Sequence, residues 1–177
     1  ATDLGDFLYL EAQSEKGKEL MTLAEELLTD ASGEEEAVNA QRQAAKEAIV
    51  NEYPVQGVKE KLDGMFDDPI WDDFYRRCIG CGTCTYLCPT CHCFDIQDHS
   101  TADEGIRFRC WDSCMFGDFT LMAGGHNPRP SQKERVRNRF LHKLNYFPQN
   151  FGEYACTGCG RCVRKCPVNL DIIQVIK

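Results

Sequence analysis

One cysteine run, present twice, constrains this chain more than any other feature. CIGCGTCTYLCP covers Cys78 to Pro89, and CTGCGRCVRKCP covers Cys156 to Pro167. Each copy reads C-x2-C-x2-C-x3-C-P, the spacing with which thiolates hold cubane iron-sulfur clusters. Three thiolates in step wrap one cubane, and the fourth, followed by proline, is directed at the other. The expected ligand sets are therefore crossed: Cys78, Cys81 and Cys84 with Cys166, and Cys156, Cys159 and Cys162 with Cys88. Gly80, Gly82, Gly158 and Gly160 leave room for the backbone to approach inorganic sulfide. A lone CxxC is equally a zinc knuckle or a redox dithiol. Zinc sites draw four ligands from two pairs, which explains neither the third cysteine in step nor the terminal Cys-Pro.

This is the run of the two-cluster bacterial ferredoxins, so a ferredoxin-like core is expected. Twelve cysteines in 177 residues then read as metal thiolates rather than a disulfide framework. The opening stretch ATDLGDFLYLEAQSEKGKEL has acidic groups and no basic segment before an apolar run, so no secretory signal is expected. No apolar stretch approaches the roughly eighteen residues of a membrane span. A soluble, cytoplasmic protein of an anaerobic, reducing setting is expected. Residues 1–75 carry 19 acidic and 6 basic side chains, a net of −13, against +5 for the remainder. Such asymmetry fits internal docking or separate contact surfaces.

Leu20, Leu23, Leu27 and Leu28 predict an amphipathic helix over 15–28. A second is expected over 34–53, with Val38, Ala45, Ile49 and Tyr53 along one side and Pro54 as its stop. A third lies near 55–65. A fourth starts at Pro69 with Asp68 as N-cap and carries Ile70, Trp71, Phe74 and Tyr75 into the first cysteine run. Residues 90–155 form a long insertion between the runs. Ile106, Phe108 and Cys110 alternate as a short strand would. Residues 131–147 predict a helix with a Ser131/Glu134 capping box, Val136, Phe140 and Leu144 inward, and Lys133, Arg135, Arg137, Arg139 and Lys143 on a basic outer side. VNLDIIQVIK predicts a short terminal helix. The expected fold is mainly α: an α-helical dicluster ferredoxin-like arrangement with an N-terminal acidic helical extension (1–67) and an iron-sulfur domain (68–177) whose insertion carries a short strand or two.

Two cubanes use eight thiolates, leaving Cys91, Cys93, Cys110 and Cys114, all in the insertion. Four suffice for a third [4Fe-4S] cluster, with Asp95 or His92 the nearest replacements for any one of them. The same four could instead hold a structural zinc or stand as buried free thiols. Cys88-Pro-Thr-Cys91-His92 matches the C-x-x-C-H signature of haem attachment, but that use would break one repeat.

Over roughly residues 68–175, and in CIGCGTCTYLCPTCHCFDIQD, RCWDSCMF, AGGHNPRP, RNRFLHKLNYF and FGEYACTGCGRCVRKCPVNLDI, the chain resembles a known group. These are the iron-sulfur electron-transfer subunits typified by the β-subunit of sulfhydrogenase-type nickel-iron hydrogenases and the A subunit of anaerobic sulfite reductase. Their PTCxCF and WxSC elements fit Cys91, Cys93 and Cys114. As a small subunit of this type, the chain also resembles the three-cluster iron-sulfur subunit of tungsten-containing class II benzoyl-CoA reductase. The resemblance implies an oxidoreductase complex in which a larger subunit holds the catalytic metal and a flavoprotein or ferredoxin donates electrons. Arg161, Arg164 and Lys165 would favour the reduced state. No nucleotide fingerprint is present. Catalysis at an open third site, and nucleic-acid binding by the basic helix, are the rival readings, the second opposed by the acidic total charge.

Overall fold

The computed structural model describes residues 1–50 and 52–177, which divide into two units, Ala1–Glu52 and Tyr53–Lys177. In the first, the Asp3 carboxylate accepts the Gly5 N–H at 2.9 Å and turns the chain. Strand β1 (Thr2–Asp3) then pairs antiparallel with β2 (Leu8–Tyr9). The Ser14 hydroxyl opens α1 (Glu15–Leu23) by accepting the Gly17 N–H at 3.1 Å, satisfying an amide that a helix start leaves free. Helix α2 (Glu35–Glu47) begins on Glu35 and Glu36 and ends on Lys46, the order its dipole favours.

Both helices are shorter than their apolar patterns predict. A 3-10 turn over Glu25–Leu27 follows α1, and Leu20, Leu23 and Leu27 stand exposed. Helix α2 buries Val38 alone and stops before Ile49. Helices of a few turns need packing to propagate, and these apolar stripes find little within their unit. Asn51, inside the predicted 34–53 helix, lies outside the described residues.

The second unit starts with α3 (Val58–Asp63) and α4 (Ile70–Arg77). Residues 53–67, grouped by sequence with the extension, belong here, because Val58 and Leu62 enter this unit's core. Helix α4 has Pro69 at its N-cap, one residue later than predicted, while the Asp68 carboxylate still accepts the Ile70 N–H at 2.8 Å. The first cysteine run ends in α5 (Thr83–Tyr86). The insertion then forms a hairpin of β3 (Phe94–Ser100) and β4 (Gly105–Trp111), with Asp95 opposite Cys110. Two strands of seven residues thus stand where a short strand or two was expected. Their ladder is closed by a bidentate Arg107–Asp98 pair at 2.7 and 2.8 Å.

Helix α6 (Gln132–Leu141) opens with the predicted capping box, Glu134 accepting the Ser131 N–H at 2.7 Å. It runs into a π-helical turn at His142–Tyr146 and then α7 (Phe147–Phe151), which Gly152 ends in the left-handed conformation. The second run ends in α8 (Arg161–Arg164), and α9 (Ile173–Ile176) closes the chain. Trp71, Phe74 and Phe140 form an aromatic triad with centroids 5.5 to 6.1 Å apart at the centre of the core. Cys78, Cys84, Cys156, Cys162 and Cys166 pack against that core, which thereby supports both cysteine runs.

The basic side predicted for 131–147 does not face outward as a whole. Lys133 pairs with Asp72 at 2.9 Å, and Arg137 lies over the Phe66 ring at 3.6 Å and pairs with Asp67. Arg135 donates to the carbonyls of Met115, Arg129 and Pro130. Arg139 and Lys143 are buried. No helix among the described residues is long and apolar enough to cross a membrane.

Candidate metal centres

The two cysteine runs fold alike. Gly82 and Gly160 take φ of 71° and 68°, left-handed values that residues with a Cβ adopt only at a cost. Each glycine caps a short helix carrying the third cysteine of its run, α5 with Cys84 and α8 with Cys162. These helices pack together, which brings the two runs side by side. At Gly82 a second constraint applies: a Cβ would stand 3.0 Å from the Phe116 ring and 3.3 Å from the Ser113 hydroxyl. The neighbour that excludes a side chain there is the insertion, a reason that spacing alone does not give.

Cys78, Cys81, Cys84 and Cys166 line a single cavity with Met115, Val136, Phe140 and Leu170. Cys166 comes from the other run, as the crossed pattern requires. Its sulfur accepts the Leu170 N–H at 3.2 Å, and Cys78 accepts the Gly80 N–H at 3.4 Å. Cys88 leaves the first run in the opposite direction. The Thr90 hydroxyl donates to the Ala155 carbonyl at 2.8 Å, holding the Cys88–Cys91 stretch beside the start of the second run.

The four remaining cysteines collect at the base of the hairpin. Asp112 N–H donates to the Cys93 carbonyl at 3.0 Å, which continues the ladder one pair beyond Phe94 and Trp111. Cys93 and Cys110 therefore sit diagonally on one face of the hairpin. Cys110 is the one half-buried position in an otherwise exposed β4. Cys114 follows the hairpin and is buried, its thiol beside that of Cys93. Cys91 precedes it, its thiol beside that of Cys88 and its N–H donating to the Cys88 carbonyl at 3.3 Å.

These pairings set the thiol electrostatics. The hydrogen bond from Cys91 pulls Cys88 down to about 3 against the effect of burial, with Thr90 and Lys143 assisting. That same bond, with burial, pushes Cys91 up. Cys93 is drawn to about 6 by its bond with Cys114, whose own thiol is pushed up by that bond and by burial. Cys81 is lowered through Thr83, while burial raises Cys84. A bound metal overrides such differences, because a coordinating thiol is deprotonated outright.

Three features of the site escaped sequence reasoning. The Thr85 and Ser113 hydroxyls meet at 2.7 Å in full burial, tying the first run to the WDSC segment. Arg139 and Lys143 reach the cysteines: Arg139 lines the first cavity with Cys84 and feels the charge of Cys162, and Lys143 donates to the Cys88 sulfur at 3.2 Å. By contrast Arg161, Arg164 and Lys165 remain on the exposed or half-exposed surface of the second run. The wait for an anion is written into Arg139, whose buried Nε has no hydrogen-bond partner. Neither buried cation pairs with a carboxylate among the described residues. A buried charge needs a counter-charge, and thiolate-ligated cubanes are anions, so the surroundings fit such groups.

Among the described residues, no group of three or more Cys, His, Asp or Glu is gathered closely enough to hold a single metal ion. A cubane instead spreads its ligands over four corners, and the four thiols around the first cavity could hold one.

Comparison with known proteins agrees with the doubled run. Residues 77–170 match the 4Fe-4S dicluster domain family. The chain is 34% identical to sulfhydrogenase 2 subunit beta of Pyrococcus furiosus over 177 aligned residues, which take in 98% of this chain. They take in 52% of the relative, so the chain spans about half the length of the curated protein it matches. No solved structure matches the chain. On the family match, which covers more than half of its residues, this chain belongs to the 4Fe-4S dicluster domain family.

Proposed function

We propose that the chain is the electron-transfer subunit of an anaerobic oxidoreductase complex, relaying single electrons through three [4Fe-4S] clusters to or from a larger catalytic subunit. The ligand sets of this reading are Cys78, Cys81, Cys84 and Cys166 for the first cluster and Cys156, Cys159, Cys162 and Cys88 for the second. Cys91, Cys93, Cys110 and Cys114 make the third. The clusters supply one-electron carriers whose potentials are set by net charge, hydrogen bonds to sulfur and exposure. The chain's own residues supply those settings: Gly80 and Leu170 N–H groups donate to Cys78 and Cys166, and Lys143 donates to Cys88.

The observation that carries the reading is continuity at Cys88. One short stretch holds Cys88 of the second set and Cys91 of the third, tied by the Cys91 N–H donating to the Cys88 carbonyl at 3.3 Å. The packing of α5, with Cys84, against α8, with Cys162, supports neighbouring first and second sets. These contacts support a series of thiols running from the first run to the hairpin base, as a wire would require. A mainly α-helical domain with the hairpin as its one sizeable strand element among the described residues fits this arrangement, and a cytoplasmic setting fits twelve cysteines serving as metal ligands.

The likeness to a sulfhydrogenase β-subunit supports a place in a heteromeric complex of that kind. The class II benzoyl-CoA reductase assignment rests on the resemblance over residues 68–175, and the anaerobic sulfite reductase setting is the third possibility. Anaerobic purification from the native source with the associated subunits tests both levels at once. Nickel with iron, tungsten, or sirohaem in the partner separates the three settings. Recovery of the chain alone, with no redox partner at any salt, would count against the subunit reading.

A further inference from the structure

Arg139 and Lys143 stand four residues apart, where α6 passes into its π-helical turn, and are only 5% and 4% exposed. Taking a cation out of water costs several kcal/mol unless something answers it. Their neighbours differ in a regular way. Arg139 lines the first cavity together with Cys78, Cys84 and Cys166, and it also feels the charge of Cys162 from the second run and of Cys91. Lys143 lies against Cys88, at 3.2 Å, and Cys91. Its remaining protons go to the Thr90 hydroxyl at 3.0 Å and the Ala155 carbonyl at 3.1 Å, which fix the ammonium in place.

We propose that Arg139 and Lys143 are positioning charges for electron transfer, Arg139 at the junction of the first and second clusters and Lys143 at the junction of the second and third. This inference rests on the three-cluster reading above. Each hop removes one electron from the donor and leaves it on the acceptor. A fixed cation between the two attracts that electron on both sides, so it raises both potentials without opposing the transfer. Burial makes the attraction stronger than at the surface, where Arg161 and Arg164 are screened by solvent.

The test uses the full-length protein purified anaerobically as wild type and as Arg139→Gln, Arg139→Lys, Lys143→Gln and Lys143→Arg. Iron is counted first, and the clusters are then titrated against potential with electron paramagnetic resonance as the readout. Each Gln variant is expected to lower the potentials of two centres, by about tenfold in the reduced-to-oxidised ratio, or about 59 mV for one electron. The two Gln variants should share one shifted centre, the second, and differ in the other. The charge-keeping variants should stay near wild type. Full iron with unmoved potentials in the Gln variants overturns the proposal, as does an equal shift of all three centres. Should a Gln variant lose iron, its charge-keeping counterpart decides: retained iron and near-native potentials support a charge role, and iron loss there as well overturns it. Wild type with about eight irons per chain instead removes the third cluster, and Lys143's junction with it. Arg139 would then still be read on the two remaining centres.

Discussion

At Gly82 backbone strain and steric exclusion act together, and its counterpart in the repeat separates them. Gly82 and Gly160 share the same left-handed φ, but a Cβ at Gly82 meets Phe116 and Ser113 whereas one at Gly160 meets nothing within 4 Å. Gly160→Ala should therefore cost the conformational strain, about 1 to 2 kcal/mol, with no clash against protein atoms. Gly82→Ala should cost measurably more, by the displacement of Phe116, in anaerobic denaturant unfolding. Equal costs would mean that the insertion does not press on the first run. Cys88 offers a second residue-scale prediction. Cys88→Ser should lower iron by about four atoms per chain, with the spectrum of one cluster lost, if Cys88 closes the second ligand set. The eight cysteines of the runs were legible in the sequence because their chemistry depends on spacing. Arg139 and Lys143 were not, because a charged residue on a helix defaults to solvent and nothing in the 3.6-residue period reveals that the facing surface is made of thiols.

Helix α6 is the element on which the second unit depends. Its capping box was readable from Ser131 and Glu134, and Ser131→Ala should cost about 1 kcal/mol. The Ser131 hydroxyl and N–H hold the Glu134 carboxyl below the usual carboxylate range. That contribution is present at neutral pH, above the unfolded value, and is lost as pH falls through the lower folded value. Acid titration should therefore destabilise wild type more than Ser131→Ala, and parallel curves would contradict the assignment. Deeper in the same helix, Phe140→Ala should cost about 3 to 5 kcal/mol, because the ring is fully buried between Trp71 and Phe74. The apolar periodicity of this helix and of α4 was legible because tertiary packing confirms it. That of α1 promised more than the structure delivers: its leucines keep the helical spacing, but Leu20 and Leu23 remain exposed. The hairpin was half legible. Alternation over 106–110 marked one strand, while FDIQDHS carries too many polar residues for its partner to show.

At the scale of the whole molecule, a ferredoxin-like pair of runs is joined to an insertion that carries four further cysteines, the first of them, Cys91, next to Cys88. The crossing of the ligand sets was implied by the motif, and the cavity holding Cys166 among Cys78, Cys81 and Cys84 agrees with it. The placement of Cys91, Cys93, Cys110 and Cys114 was not implied, since C-x-C and C-x3-C match no standard spacing. It became visible only through the hairpin register, which puts Cys93 and Cys110 on one face. The chain's central property in this account is a continuous series of three cubanes. Iron per chain in anaerobically purified wild type tests it most directly: the account predicts about twelve, with matching inorganic sulfide, and about eight, with zinc or free thiols at the hairpin base, would contradict it.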